Sequence, residues 1–257
     1  MLGEDGHVWL FGLHAVRDAL ANPARRLHRL ILTPNAAQRL ADALGAGRID
    51  PEIADPRRFP APLDPQSVHQ GAALAVDPLD WGGIDGLVAA ATRPEGPPAT
   101  VLALDRVTDP HNVGAILRSA EVFGAKAVIA PKRHAAPESG ALAKSASGAL
   151  ERQPYLRVTN LADTIERLKE AGFLALGLDG AGAQTVGAAA VQAAGRPLLL
   201  VLGAEGPGLR ERTRSVCDAL VRIESAREFA SLNVSNAAAV ALFAATSRQV
   251  VPGFGRS

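Results

Sequence analysis

A single cysteine, Cys217, occurs in the 257 residues of this chain. That excludes a disulfide framework and a cysteine-built metal cluster, and it suits a reducing compartment, the cytoplasm. The six histidines, at positions 7, 14, 28, 69, 111 and 134, never pair at i, i+4, so no metal site is expected. No apolar run reaches the roughly 18 to 20 residues that a membrane span needs, and no membrane association is expected. The opening Met-Leu-Gly-Glu-Asp-Gly-His is acidic and polar rather than signal-like. Gly-x-Ser-x-Gly is missing and no histidine follows residue 134, which removes a serine-hydrolase reading. Strong charge of either sign is also missing: the net charge is +1. Any RNA contact must therefore come from local patches rather than bulk attraction. Arg25-Arg26-Leu27-His28-Arg29 is one such patch and Arg210, Arg212 and Arg214 another, each equally readable as a solvated face.

What is present is a 47% hydrophobic chain, long enough for one large or two modest domains. Residues 7–78 read as a small α/β unit. Leu13, Val16 and Leu20 fall at helical spacing, Leu27–Thr33 looks like a strand, Ala36–Leu44 like a second helix and Gly71–Val76 like a closing strand. The proline-rich stretch 50–65 is expected to hold turns and a short strand. A linker over 79–98 contains a short helix, Ile84–Ala91, and then proline–glycine punctuation at 92–98. Residues 99–250 alternate strand and helix. The strand-like runs, at 100–105, 126–130, 155–158, 173–178, 197–202 and 219–223, are apolar at consecutive positions. Strands of that kind are buried on both faces, which predicts an α/β fold with a parallel sheet flanked by helices. In such sheets ligands sit at the carboxyl ends of the strands.

Three loops at such ends carry polar residues. In the first, Asp105 to Ser119, the helix core stripe is Val113, Ile116, Leu117, Ala120 and Phe123, which leaves Arg118 off the stripe. Asn112 either caps the helix or belongs to a site. Arg118 either pairs with Glu121 or Asp105 at the surface or holds a phosphate or reacting hydroxyl with its forked guanidinium. In the second, Gly203-Ala-Glu205-Gly206-Pro-Gly208, three glycines allow backbone to approach a ligand closely. It is neither a Walker loop nor a dinucleotide fingerprint. Glu205 would repel phosphate but accept hydrogen bonds from a ribose or an amine. The third loop holds Ser231, Asn233, Ser235 and Asn236, more capping-competent side chains than one helix start requires. From the residues alone the chain is an α/β enzyme for a polar, nucleotide-like ligand.

The three loops together resemble the SpoU-type (TrmH-like) RNA ribose 2′-O-methyltransferases of the trefoil-knot SPOUT class. Asn112 and Arg118 match that family's first motif, Gly203 to Gly206 its Gly-x-Glu-Gly turn, and Ser231-Leu-Asn-Val-Ser235 its third motif. Phe11 to Val16 and His69-Gln70-Gly71 resemble the small ribosomal-protein-like RNA-binding domain that precedes the catalytic domain in this family. The two-domain layout looks most like the subfamily that methylates a guanosine ribose of 23S rRNA. Where the family usually has Ile-Pro-Met and then Gly before the serine, this chain has Glu224, Ser225 and Arg227.

The resemblance implies a knotted C-terminal half, a homodimer and S-adenosylmethionine as cofactor. It implies catalytic roles for Arg118, Asn112, Glu205, Ser231 and Asn233. The cofactor would lie against Leu178, Gly180, Gly203, Glu205, Gly206, Ile223 and Leu232. RNA would be held by Arg25, Arg26, Arg29, His69 and Arg118. Two other readings stand beside it, a tRNA ribose 2′-O-methyltransferase and a catalytically silent RNA-binding protein of ribosome assembly.

Overall fold

The structure is a computed structural model that describes residues 7–91, 97–193, 195–225 and 231–247. The N-terminal unit contains β1 (Val8–Phe11), α1 (Leu13–Ala21), β2 (Leu27–Leu32), α2 (Pro34–Arg39), α3 (Ala41–Leu44), β3 (Pro51–Ile53) and β4 (Ala72–Val76). Its sheet has the order β1-β4-β2-β3, with β4 antiparallel to both neighbours and β3 parallel to β2. The expected second helix is divided: Thr33 caps α2 by accepting from the Ala36 N–H, and α3 restarts after Leu40.

The larger unit follows α4 (Ile84–Ala91). It comprises β5 (Thr100–Asp105), α5 (Pro110–Val122), β6 (Ala127–Pro131), α6 (Gly140–Ala146), β7 (Tyr155–Val158), α7 (Leu161–Glu170) and β8 (Leu174–Leu178). Then come β9 (Gln184–Thr185), α8 (Val186–Gln192), β10 (Leu198–Gly203), α9 (Glu211–Val216), β11 (Ala219–Arg222) and α10 (Val234–Ser247). The seven strands form one parallel sheet in the order β7-β6-β5-β10-β8-β11-β9. The α/β sheet expected from the sequence is thus present. The pairing of β10 between β5 and β8 places the Gly203 turn beside the loops that follow both.

Alternation along each strand divides the core into two layers. Leu102 and Leu104 of β5 face a cluster that includes Val113, Ile116 and Leu117 of α5, Leu142 of α6 and Ala238 and Leu242 of α10. Val101 and Ala103 face the opposite layer, with Leu161, Ile165 and Leu168 of α7. Those three recur at i, i+4 and i+7, and each is fully or nearly fully buried, an arrangement that contributes roughly 1.5–3 kcal/mol per side chain. Leu87 of α4 joins the same layer, so part of the stretch expected as a linker packs against the larger sheet. Residues 92–96, the centre of the expected boundary, lie outside the described residues.

The two units touch at α6 and β1. A Cβ at Gly140 would fall 2.4 Å from the Phe11 ring and from the Trp9 carbonyl oxygen, so only glycine permits this approach. Among the described residues no helix is long and apolar enough to cross a membrane.

Candidate functional site

The loops after β5 and β10 and the start of α10 converge at the carboxyl edge of the sheet. Asn233 sets the geometry. Its backbone carbonyl accepts from the Ala237 N–H at 2.9 Å, and its Oδ1 accepts from the Ser235 N–H at 2.9 Å and the Ser235 Oγ at 2.6 Å. Asn233 is therefore the residue that caps α10. With Oδ1 committed to the helix, Nδ2 points away from it and donates to Glu205 Oε1 at 2.5 Å and Asn112 Oδ1 at 2.9 Å. Glu205 Oε1 also accepts from the Val234 N–H at 3.3 Å and from Asn112 Nδ2 at 3.4 Å. A carboxylate at a helix start is favoured by the exposed N–H groups there. Three loops separated by up to 121 residues are thus joined by one carboxylate and two amides.

The capping reading of Asn112 is replaced by this arrangement. Asp109 caps α5 instead, accepting from the His111 N–H at 2.9 Å, and Asn112 is left free to reach Glu205 and Asn233. Neither surface pairing expected for Arg118 forms: Glu121 is bound by Arg152, and Asp105 by Arg210. Arg118 is exposed and makes no hydrogen bond or ion pair among the described residues. It lies six residues beyond Asn112 on α5, which sets it about 9 Å along the helix and about 120° around it. Within one chain it stands beside the amide–carboxylate cluster and outside it. Ser231 is exposed.

The buried anchor of the region is Asp105, at the end of an otherwise apolar strand and fully buried. It accepts from the Arg210 backbone N–H at 2.9 Å and from Arg210 Nε at 2.8 Å. This pair pins the loop that carries Glu205 to the end of β5. An isolated acid closing an apolar strand is the sequence signal that marks it.

The residues expected to hold a cofactor lie on neighbouring strand ends, because β8 pairs with both β10 and β11. The glycines divide by role. A Cβ on Gly203 would sit 2.1 Å from the Gly208 carbonyl carbon, so Gly203 serves the closure of its own turn. Gly206, at φ 82°, and Gly180 face open space, room in which backbone can approach a ligand. Leu178 and Ile223 are half-buried, and Leu232 is 50% exposed. Open backbone beside partly exposed apolar side chains fits an adenosine-bearing cofactor such as S-adenosylmethionine. Glu224 and Ser225 are exposed, and Arg227 lies outside the described residues.

The N-terminal basic patch is largely engaged within the protein. Arg25 must be corrected: it is 1% exposed, and its guanidinium is committed to carboxylates within the protein rather than free for RNA. Its Nε and Nη2 donate to Glu151 at 3.1 and 2.7 Å, and its Nη1 donates to Glu138 and to the Asp77 carbonyl at 2.8 Å. Burial alone would lower its pKa, but the paired carboxylates outweigh that and hold it above the ordinary value. Arg29 donates twice to Glu52, at 2.9 and 2.8 Å. Arg26 remains 76% exposed, 3.7 Å from Asp77. His69 stacks on Phe59 at 4.3 Å, and its Nδ1 accepts from the Gly71 N–H at 3.1 Å, which shapes the turn before β4.

Although no metal site was expected from local spacing, His7, His28 and Asp77 bring three donors within 4.8 Å of one another from distant positions. Both imidazoles hydrogen-bond Asp77 Oδ1, at 3.2 and 2.7 Å. The His28 hydrogen bond is the main cause holding the Asp77 carboxyl below its usual range. Arg26 against the other oxygen supplies a cation there already.

Comparison with known proteins follows the same division. Residues 99–243 match the SpoU rRNA Methylase family, and residues 9–81 match the RNA 2′-O ribose methyltransferase substrate-binding family. A 23S rRNA (guanosine-2′-O-)-methyltransferase of Ralstonia nicotianae is 40% identical over 95% of this chain and 97% of its own length. The protein of that name from Pseudomonas putida is 37% identical over 94% of this chain and 97% of its own. Among solved structures, the SpoU methyltransferase AviRb from Streptomyces viridochromogenes, in complex with AdoMet, superposes with a TM-score of 0.77 at 25% identity, covering 95% of this chain and 91% of that one.

Proposed function

The chain belongs to the SpoU rRNA methylase family, and on that premise we propose that it methylates the 2′-oxygen of a guanosine ribose in 23S rRNA. The observation that carries the reading is the hydrogen-bonded meeting of Asn112, Glu205 and Asn233 from three separate loops. S-Adenosylmethionine would supply an electrophilic methyl group when bound, and Leu178–Gly180, Gly203–Gly206, Ile223 and Leu232 would hold it. Glu205 and Asn233 order that junction, and Asn112 ties it to the helix that carries Arg118. A neutral 2′-hydroxyl is a poor nucleophile, so its proton must leave as the new bond forms. An arginine with a pKa above about 12 is a poor base. Arg118 acts instead by gripping the adjoining phosphate and acidifying the hydroxyl, with the proton passing to phosphate or water. Its exposed, unpaired state among the described residues supports that task.

A homodimer and a trefoil-knotted C-terminal half belong to this reading. Exposed Val122 on α5 and Val240 and Phe243 on α10, two helices packed on each other, support an apolar face for a second copy. The N-terminal unit, Arg26, Arg29 and His69 included, serves RNA, and the cytoplasm is the compartment. Nucleoside analysis of RNA methylated by the protein tests the chemistry. 2′-O-Methylguanosine is the expected product; a base-methylated nucleoside or another ribose-methylated nucleoside would overturn the assignment.

A further inference from the structure

We propose that a basic cavity, across the Arg106–Asn112 loop from the amide–carboxylate cluster, binds a backbone phosphate of the substrate RNA next to the methylated ribose. The proposal rests on the RNA methyltransferase reading and adds a site to it. The cavity has a volume of about 420 Å³ and opens at the carboxyl ends of β5, β6 and β7; Arg106, Arg133, His134, Arg212 and Thr213 line it together with the start of α7. Among the described residues no carboxylate lines it; Arg210, also in its wall, is tied to Asp105 and Arg212 to Asp163, which leaves Arg106, Arg133 and His134 uncommitted.

Four observations converge. Arg106, Arg133 and His134 are exposed and make no ion pair or hydrogen bond among the described residues, whereas Arg25 is buried against Glu138 and Glu151 and Arg29 is paired with Glu52 at the surface. A chain of net charge +1 must hold RNA through such local groups. Arg106 and His134 adopt φ angles of 61° and 58°, a conformation costly for side-chain-bearing residues and found where a site over-determines the backbone. Thr213 is fully buried, and its Oγ1 has no hydrogen-bond partner among the described residues, a donor of the kind a phosphate oxygen in the cavity would satisfy. Finally, two loops that contribute to the cavity wall, through Arg106 and Arg210, also build the candidate site: one runs from Arg106 to Asn112, the other from Glu205 to Arg210. Asp105 fastens the second to the start of the first. A strand whose ribose lies at Asn112 and Glu205 therefore has a neighbouring phosphate within reach of the cavity.

The test is binding of unmodified 23S rRNA to the full chain across a salt series, with Arg106→Ala/Arg133→Ala, Arg133→Lys and Thr213→Val beside the wild type. The double variant should bind about tenfold or more weakly at physiological salt. Its log K against log salt should flatten by about 0.7–0.9 for each phosphate that is no longer neutralised. Arg133→Lys should keep most of the slope. Thr213→Val should weaken RNA binding several-fold without lowering the melting temperature. An unchanged slope and affinity in the double variant, or a Thr213→Val that loses stability while keeping RNA affinity, would overturn the proposal. Methyl transfer by the wild type is read separately, so failure of the cavity and failure of the methyltransferase reading give different results.

Discussion

Replacing Arg25 by methionine should unfasten the two units of the protein. Its side chain is 0% exposed and lies between Glu151, 4% exposed, and Glu138, 12% exposed. Three of its hydrogen bonds cross from the N-terminal unit to these two carboxylates, and the Asn22 amide also donates to Glu151, at 2.9 Å. Methionine keeps the volume but leaves two buried carboxylates uncompensated, a change that costs about 3–5 kcal/mol. For a chain of this size that lowers the melting temperature by on the order of 10 °C. The pH dependence identifies the cause. Burial is the largest influence on Glu138 and, with Arg25 opposing it, holds the carboxyl above its ordinary pKa. A carboxyl raised in the folded state favours folding at pH below its unfolded value and loses that advantage as pH rises through its folded value. Removing Arg25 takes away the opposing charge and widens that window. The deficit of Arg25→Met should therefore be largest at about pH 8 and narrow toward pH 5. Further change of Glu138 and Glu151 to glutamine should restore much of the loss, because no buried charge remains. Urea titrations of the variants at several pH values measure this. A deficit below about 1 kcal/mol at pH 8, or one that does not shrink on acidification, would refute the reasoning.

Three further outcomes are expected. Glu205→Gln removes a charge that accepts from Asn233, Asn112 and the Val234 N–H. Single-turnover methyl transfer should drop about tenfold to a hundredfold, at about 1.5–3 kcal/mol for hydrogen bonds to a charged group, with little change in melting temperature because the cluster is exposed. Gly114→Ala places a Cβ 2.5 Å from Ser145 Cβ and 2.8 Å from the Ala146 backbone nitrogen. It should force α5 and α6 apart at a cost of about 1–3 kcal/mol, readable by denaturant titration. Burial pushes the Cys217 thiol up to about 11. Alkylation by iodoacetamide at pH 7.5 should consequently be slow until denaturant is added, since only the thiolate reacts.

The sequence exposes the parallel sheet because β5, β6 and β10 bury every or nearly every position and carry no polar alternation to hide the signal. It does not expose β1, four residues long, or the β9–α8 unit. The α8 run, Val-Gly-Ala-Ala-Ala-Val-Gln, has too few large apolar residues to mark a face. Strand order is equally hidden, because packing rather than proximity in sequence inserts β10 between β5 and β8, setting Leu198 beside both Thr100 and Leu174. The three site loops were legible because polar residues crowded the ends of apolar strands. Which of them would cap was not: Asp109 and Asn233 serve that role, Asn112 does not, and the difference lies in the position of Glu205. Arg25 and Arg26 are alike as neighbours in sequence, yet one is buried because Glu138 and Glu151 meet it from more than a hundred residues away.

The most direct measurement of the central claim is methyl transfer from labelled S-adenosylmethionine to separately purified, unmodified 23S rRNA and tRNA, with Arg118→Ala beside the wild type. Label on 23S rRNA alone, lost in Arg118→Ala, is the predicted result. Label on tRNA instead, or full transfer by Arg118→Ala, would contradict it.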